Sequence, residues 1–271
     1  MTIKSRNRLL FILFITSAVF FVLSLIFFII GVLKFNFLAY EPNPEHGLFR
    51  QLFFDYHPFS VYNSIFFMNV YVVVASFVVS QAFEKTQSSE LVFYFCFLVA
   101  CLAECARLYI PFLVASKPFT GFIVFFGRFS TFARILAPLA LLFSTIMTGP
   151  EQRQNLERNL LLIIVISIFA AFILPLNTGV LEKTFRIHVG FDRIVVIIEI
   201  LVHSSAVISL FISNIQNGYK QWTTLGLALI IAGFVLGING INLFVFNLAA
   251  ICTSAGTFLY LNSLHNRHLY E

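Results

Sequence analysis

Eight apolar stretches, most of them long enough to cross a bilayer, fill most of this 271-residue chain. They leave one fold class open, an all-α polytopic bundle of transmembrane helices. About 20 consecutive apolar residues are needed for each spanning helix. The spans read as 9–34, 60–82, 90–112, 121–147, 159–178, 193–214, 222–238 and 241–263. Only Asn239 and Gly240 divide the last two. Asn-Gly is a strong turn signal, and the two segments together exceed one ordinary span at about 1.5 Å rise per residue. A tight helical hairpin is therefore expected there, with a seven-span chain as the alternative.

Composition agrees. Hydrophobic residues make up 59% of the chain and charged ones 11%, with 36 Phe and a mean hydropathy of +0.93. A soluble domain could not bury that much apolar surface and stay dispersed, whereas lipid solvates it directly. Residues 1–271 read as a single integral membrane domain, with no length left for a kinase, cyclase, nuclease or DNA-binding domain. Any output must pass through a partner or through the membrane. The net charge of +5 comes from Lys and Arg scattered among short loops, which suits topology and not nucleic-acid binding.

Those loop charges set the expected orientation. With the N-terminus inside, Lys4, Arg6, Arg8, Lys85, Arg153, Arg158, Lys220 and Arg267 are cytoplasmic, and Lys34, Arg50, Lys117, Lys183, Arg186 and Arg193 are outside. The bias is thin, but the cluster at the start carries extra weight. Both termini are expected in the cytoplasm, in the cytoplasmic membrane. The first run, Leu9 to Leu33, exceeds the h-region of about 7–15 residues of a secretory signal and is read as a retained helix.

Between the first two spans, residues 35–59 place Leu48, Phe49, Leu52, Phe53 and Tyr56 at helical spacing. That pattern predicts an amphipathic helix on the outer surface, an anchor or a lid. The outer loop 179–192 mixes Glu182, Lys183, Arg186, His188 and Asp192 and reads as a solvated connection.

Ionisable groups lie inside the spans, where each costs about 2.5–3.5 kcal/mol on insertion scales. Ranked by depth at 1.5 Å per residue, Glu104 falls about 12 Å, Arg107 about 8 Å, Arg128 about 10 Å and Arg134 about 20 Å from the outer end. On the same scale Glu199 and His203 lie at about 9 and 15 Å, and Asn69 and Asn247 at about 14 and 10 Å. Most share one half of the bilayer, and reversing the orientation moves them together. Glu104 and Arg107 are three apart and Glu199 and His203 four apart, so each pair occupies one helix face. Three Arg against two Glu leave the layer one unit positive, which an anionic ligand, a lipid headgroup or water could complete. The plain alternative is a buried network that specifies how the third, fourth and sixth spans pack. Within it, Glu104 and Arg128 are expected to meet directly or through one water, because a short outer connection makes their helices antiparallel neighbours.

Other chemistry leaves no signature. No His-Glu-x-x-His, Gly-x-Ser-x-Gly or Cys-x-x-Cys motif occurs. Only His203 lies clearly within a span, so paired haem ligands are unavailable. Cys96, Cys101, Cys105 and Cys252 all fall within spans and read as packing residues. Gly233 with Gly237, and Ala250 with Ser254, form small-xxx-small patterns that suit close helix packing or a homo-oligomer.

These observations lead to a membrane binding or sensing protein for a small anionic ligand. Glu104, Arg107, Arg128, Arg134, Glu199, His203, Asn69 and Asn247 are its candidate site, with no catalytic residue, metal or cofactor expected. Secondary transport, proton-coupled through Glu199 and His203, and a structural subunit that docks a protein partner are the alternatives.

Overall fold

A backbone inside hydrocarbon has no hydrogen-bond partner but itself, so each apolar run folds as a helix. The computed structural model describes residues 3–35, 50, 53–83, 88–116, 120–146, 156–216, 218 and 221–270. Among them are eight helical segments long and apolar enough to cross a membrane. In order they are α1 (Ile3–Phe35), α2 (Pro58–Ala82), α3 (Ser89–Glu104), a 3-10 turn (Cys105–Leu108) leading into α4 (Tyr109–Ser116), and α5 (Thr120–Ile146). There follow α6 (Leu156–Ile173), a hairpin of β1 (Leu176–Leu181) and β2 (Ile187–Val189), α7 (Asp192–Gln216), α8 (Trp222–Asn239) and α9 (Leu243–Tyr270). The third span is α3, the turn and α4 in line. The described helices are compatible with a multi-pass membrane protein.

The break at Asn239–Gly240 is present. Gly240 takes extended backbone at φ −66°, ψ 107°. Asn242 then accepts the Val245 N–H at 2.9 Å and so caps the start of α9. The fifth span stops at Ile173, short of the expected 178, because Pro175 lies just past its end and β1 begins at Leu176. The expected amphipathic helix over 35–59 falls largely outside the described residues. Of its neighbourhood, Phe54 stacks on Phe244 of α9 at 5.3 Å.

The loop at 179–192 is not a solvated connection. Leu176 pairs with Val189 and Asn177 with His188 across an antiparallel ladder. At the tip, Glu182 N–H bonds Arg186 O at 2.8 Å around a three-residue turn. Phe185 there takes φ 63°, a left-handed conformation that usually calls for Gly. Its ring compensates by wedging against Tyr62 of α2, 4.8 Å between centroids. Lys183 sits 5.5 Å over the ring of Tyr56, whose phenol is pushed above its ordinary value by burial. The hairpin thus packs down on the bundle.

The third span is the most enclosed, with Phe93, Tyr94, Phe97 and Leu98 buried, whereas α1, α6 and α7 turn Phe, Ile and Leu outward along much of their length. Attraction between helices in lipid comes from close packing, and small residues permit it. The tightest seam joins α8 to α9. A Cβ at Gly233 would lie 2.5 Å from Thr253 N, and one at Gly226 2.6 Å from Tyr260 N. Gly237 faces Met68 and Ala249 of the same chain. The glycines therefore serve an intramolecular seam, and Ser254 faces outward, not into it.

Candidate functional site

The 3-10 turn in the third span builds the centre of the polar layer. In that geometry side chains three apart eclipse one another. Glu104 and Arg107 are accordingly side by side, Oε1 to Nε at 3.6 Å, with both side chains buried. Ser130 of α5 donates to the second Glu104 oxygen at 2.9 Å. The remaining partner comes from the hairpin. Arg186 grips Glu104 Oε1 through Nε at 2.9 Å and also through Nη2. It reaches in because Gly127 of α5 lets Ile187 settle on the helix, where an added Cβ would be 2.8 Å from Ile187 Cδ1.

A second pole lies between α5 and α7. Arg134 forms a two-pronged pair with Glu199, Nε to Oε1 at 2.5 Å and Nη2 to Oε2 at 3.2 Å. Its Nη1 donates to Asp192 at 3.0 Å, at the N-terminus of α7. The network therefore ties the third, fourth and sixth spans together. Between the poles is a cavity of about 10 Å³, bordered by Ser130, Thr131, Arg134, Glu182 and Arg186. Glu182 is also engaged by His188 at 3.1 Å.

The expected Glu104–Arg128 contact does not form. The reason is direction around the helix. Ser130 faces Glu104, and at about 100° per residue Arg128 lies roughly 200° around α5 from it. Arg128 points instead at α6, donating to Phe172 O at 2.8 Å and Leu174 O at 2.6 Å as well as to Ala171 O. Its guanidinium also sits 5.6 Å over the Phe172 ring. Arg107 acts similarly on α8, donating to Ile238 O at 2.6 Å and Gly237 O at 3.2 Å. The last carbonyls of a helix lack intrahelical partners and carry about half a negative charge together. Arg186 enters the layer together with Asp192 and Glu182, so its four arginines meet four carboxylates, and the two helix ends add further acceptors.

The other candidates are dispersed. His203 is buried against Phe234, 6.5 Å between rings, and its Nε2 has no hydrogen-bond partner among the described residues. Asn69 is buried facing α1, its amide placed to bond Ser17 O at 3.2 Å and Phe21 N–H at 3.3 Å. Asn247 is exposed and bonds Leu243 O within α9 at 2.9 Å. Arg186, Asp192 and Ser130 were not recognised as site residues in the sequence. The alternation Ile187–His188–Val189, between turn-forming Gly179 and Gly190, was the signal that could have revealed a strand there.

A double-mutant cycle tests this wiring. Arg128→Met and Glu104→Gln are expected to be additive within about 0.5 kcal/mol, whereas Arg186→Met and Glu104→Gln couple by more than that. Equal coupling in both cycles would restore the Glu104–Arg128 contact.

Comparison with known protein families, curated proteins and solved structures finds no significant match to this chain.

Proposed function

We propose that the chain is a binding or sensing protein of the cytoplasmic membrane, with a site in the outer half of the bilayer for a small anion. One observation carries this reading. The guanidiniums of Arg134 and Arg186 border a single cavity together with the Ser130 and Thr131 hydroxyls, beneath the hairpin. The Ser130 and Thr131 protons go to Glu104 and to Gly127 O, and Glu182 also lines the cavity, so the two guanidiniums are the groups that suit a carboxylate or a phosphate. A cavity of about 10 Å³ holds one water at most. The arrangement is therefore the closed form, and a ligand enters when the hairpin lifts and Arg186 leaves Glu104. Glu104 and Glu199 hold the guanidiniums in place until then. Both termini face the cytoplasm in this reading, and the hairpin faces outward.

A static clamp is the second reading, favoured by the guanidinium contacts already made to Glu104, Asp192 and Glu199. Transport of a solute through the same layer is the third. Titration with a panel of carboxylates and phosphates separates them. Saturable binding is expected for the unaltered protein. Arg134→Met is expected to abolish it while the protein stays folded in the membrane. Unchanged affinity in that variant sinks the assignment, and no binding by the unaltered protein leaves the clamp. Accumulation of a bound solute in proteoliposomes would favour transport.

A further inference from the structure

Three carboxylates of the polar layer are held by arginine, Glu104 by Arg186 and Arg107, and Asp192 and Glu199 by Arg134. Glu182 is held differently. Among the described residues its ion pair is with His188 alone, Oε1 to Nδ1 at 3.1 Å, and Thr184 Oγ1 donates to Oε2 at 3.3 Å. Yet Glu182 borders the same cavity as the Arg134 and Arg186 guanidiniums. An anion entering there meets a carboxylate as well as two cations, and like charges at close range oppose each other. His188 is exposed, so it exchanges protons with water.

Charge sharpens the problem. Four arginines already face four carboxylates, so an added anion leaves the layer one unit negative. One proton restores the balance. Around the hairpin the third span presents Glu104 and Arg107, α5 presents Arg128 and Arg134, and α7 presents Asp192, Arg193 and Glu199. Carboxylates ordinarily titrate near about 4 and arginine above about 12, whereas the Tyr56, Tyr62 and Lys183 side chains by the hairpin tip belong to types that titrate at about 10. An imidazole titrates near about 6.5. His57 caps the start of α2 by accepting the Phe59 N–H, and His203 is buried against Phe234. Of the three imidazoles, His188 is the one paired with a residue that borders the cavity.

We infer that anion binding is proton-linked through the hairpin: a proton taken up by His188 accompanies the anion and offsets Glu182 as its competitor. This rests on the anion-site reading above and names the regulation of that site. Glu182, Arg186 and His188 all belong to the hairpin, so the pair travels with the gripping arginine when the hairpin lifts. With His188 neutral, Glu182 keeps its full negative charge beside the guanidiniums and the anion binds weakly. With His188 charged, the pair is neutral as a unit and the guanidinium charge is left to the anion. Affinity is therefore highest below the ordinary imidazole range and falls as pH rises through it. Linkage is reciprocal, so the anion also draws the proton onto His188.

Equilibrium binding of acetate and of dimethyl phosphate to the full chain in detergent tests this, at about pH 5.5 and about pH 8, on either side of an ordinary imidazole. Both probes are singly charged anions at either pH. The unaltered protein is expected to bind about fivefold more tightly at the lower pH, the ceiling for a partly exposed charge pair. His188→Gln is expected to show the weaker affinity at both pH values, and Glu182→Gln the tighter one at both. Opposite levels in the two variants are the signature, because a hairpin merely loosened by either change would shift both the same way. Affinity independent of pH in the unaltered protein, or a pH dependence that survives His188→Gln, would overturn the linkage and leave the anion site standing. So would a dependence lost in His203→Gln instead. No binding of either probe at either pH would overturn the anion site and the linkage with it.

Discussion

Replacing Glu104 with Gln is expected to lower the unfolding free energy by about 3–5 kcal/mol, the range for removing one partner of a buried ion pair. Gln keeps the shape of Glu and can still accept from Ser130, so little packing is lost. It removes the charge that Arg186 and Arg107 share, and leaves two buried guanidiniums facing each other without an anion. The control is Glu182→Gln. That carboxylate is partly exposed and pairs with an exposed His188, a class of contact worth about 0–1 kcal/mol. Chemical unfolding in detergent, followed by helical circular dichroism, measures both. If the two variants unfold within about 1 kcal/mol of each other, Glu104 is not the keystone of the polar layer.

Gly233→Val and Gly256→Val are each expected to cost about 3 kcal/mol or more, the upper end of overpacking effects. The reason is what a new side chain would strike. A Cβ at Gly233 meets Thr253 backbone N at 2.5 Å, and one at Gly256 meets Ile230 N at 2.7 Å and Gly226 O at 2.8 Å. Backbone cannot swing aside as a side chain can, so α8 and α9 must separate. Gly237→Ala is the milder comparison, because its nearest neighbour is the flexible end of Met68 at 3.3 Å. Size-exclusion profiles and melting temperatures of the three variants check the order. A Gly233→Val protein as stable as Gly237→Ala would show that the seam is looser than these distances require.

The number of spans was legible in the sequence, because length and hydropathy are one-dimensional quantities that lipid reads directly. So was the break at Asn239–Gly240, a local turn. Depth was a poor guide to partners: Arg134 and Glu199, ranked about 11 Å apart, pair across helices, and Glu104 meets Arg186 of a segment read as lying outside the spans. What depth omits is direction around the helix. Arg128 and Ser130 differ by only about 3 Å in height but face nearly opposite ways, so a partner chosen by height alone was wrong. Arg186 was hidden for a different reason. A charged outer segment looks solvated until it is known that Gly127 offers a seat for Ile187 and that Phe185 locks against Tyr62. Those are contacts of high sequence separation, and no local pattern announces them. The net positive charge also suggested an external anion because helix ends were not counted as partners. Arg107 and Arg128 both rest on carbonyls there.

The place of Arg186 in the chain has a consequence for biosynthesis. Glu104 belongs to the third span, but the arginine that grips it is translated after the fifth. During synthesis the nascent third span therefore carries Glu104 with Arg107 alone beside it, and five later spans are still to come. Two of those, α5 and α7, bring the Ser130 and Arg134–Glu199 contacts that complete the layer. Insertion cannot be a series of independently finished steps. The most enclosed helix is threaded early and stabilised late, first by the hairpin and then by α7 and α8.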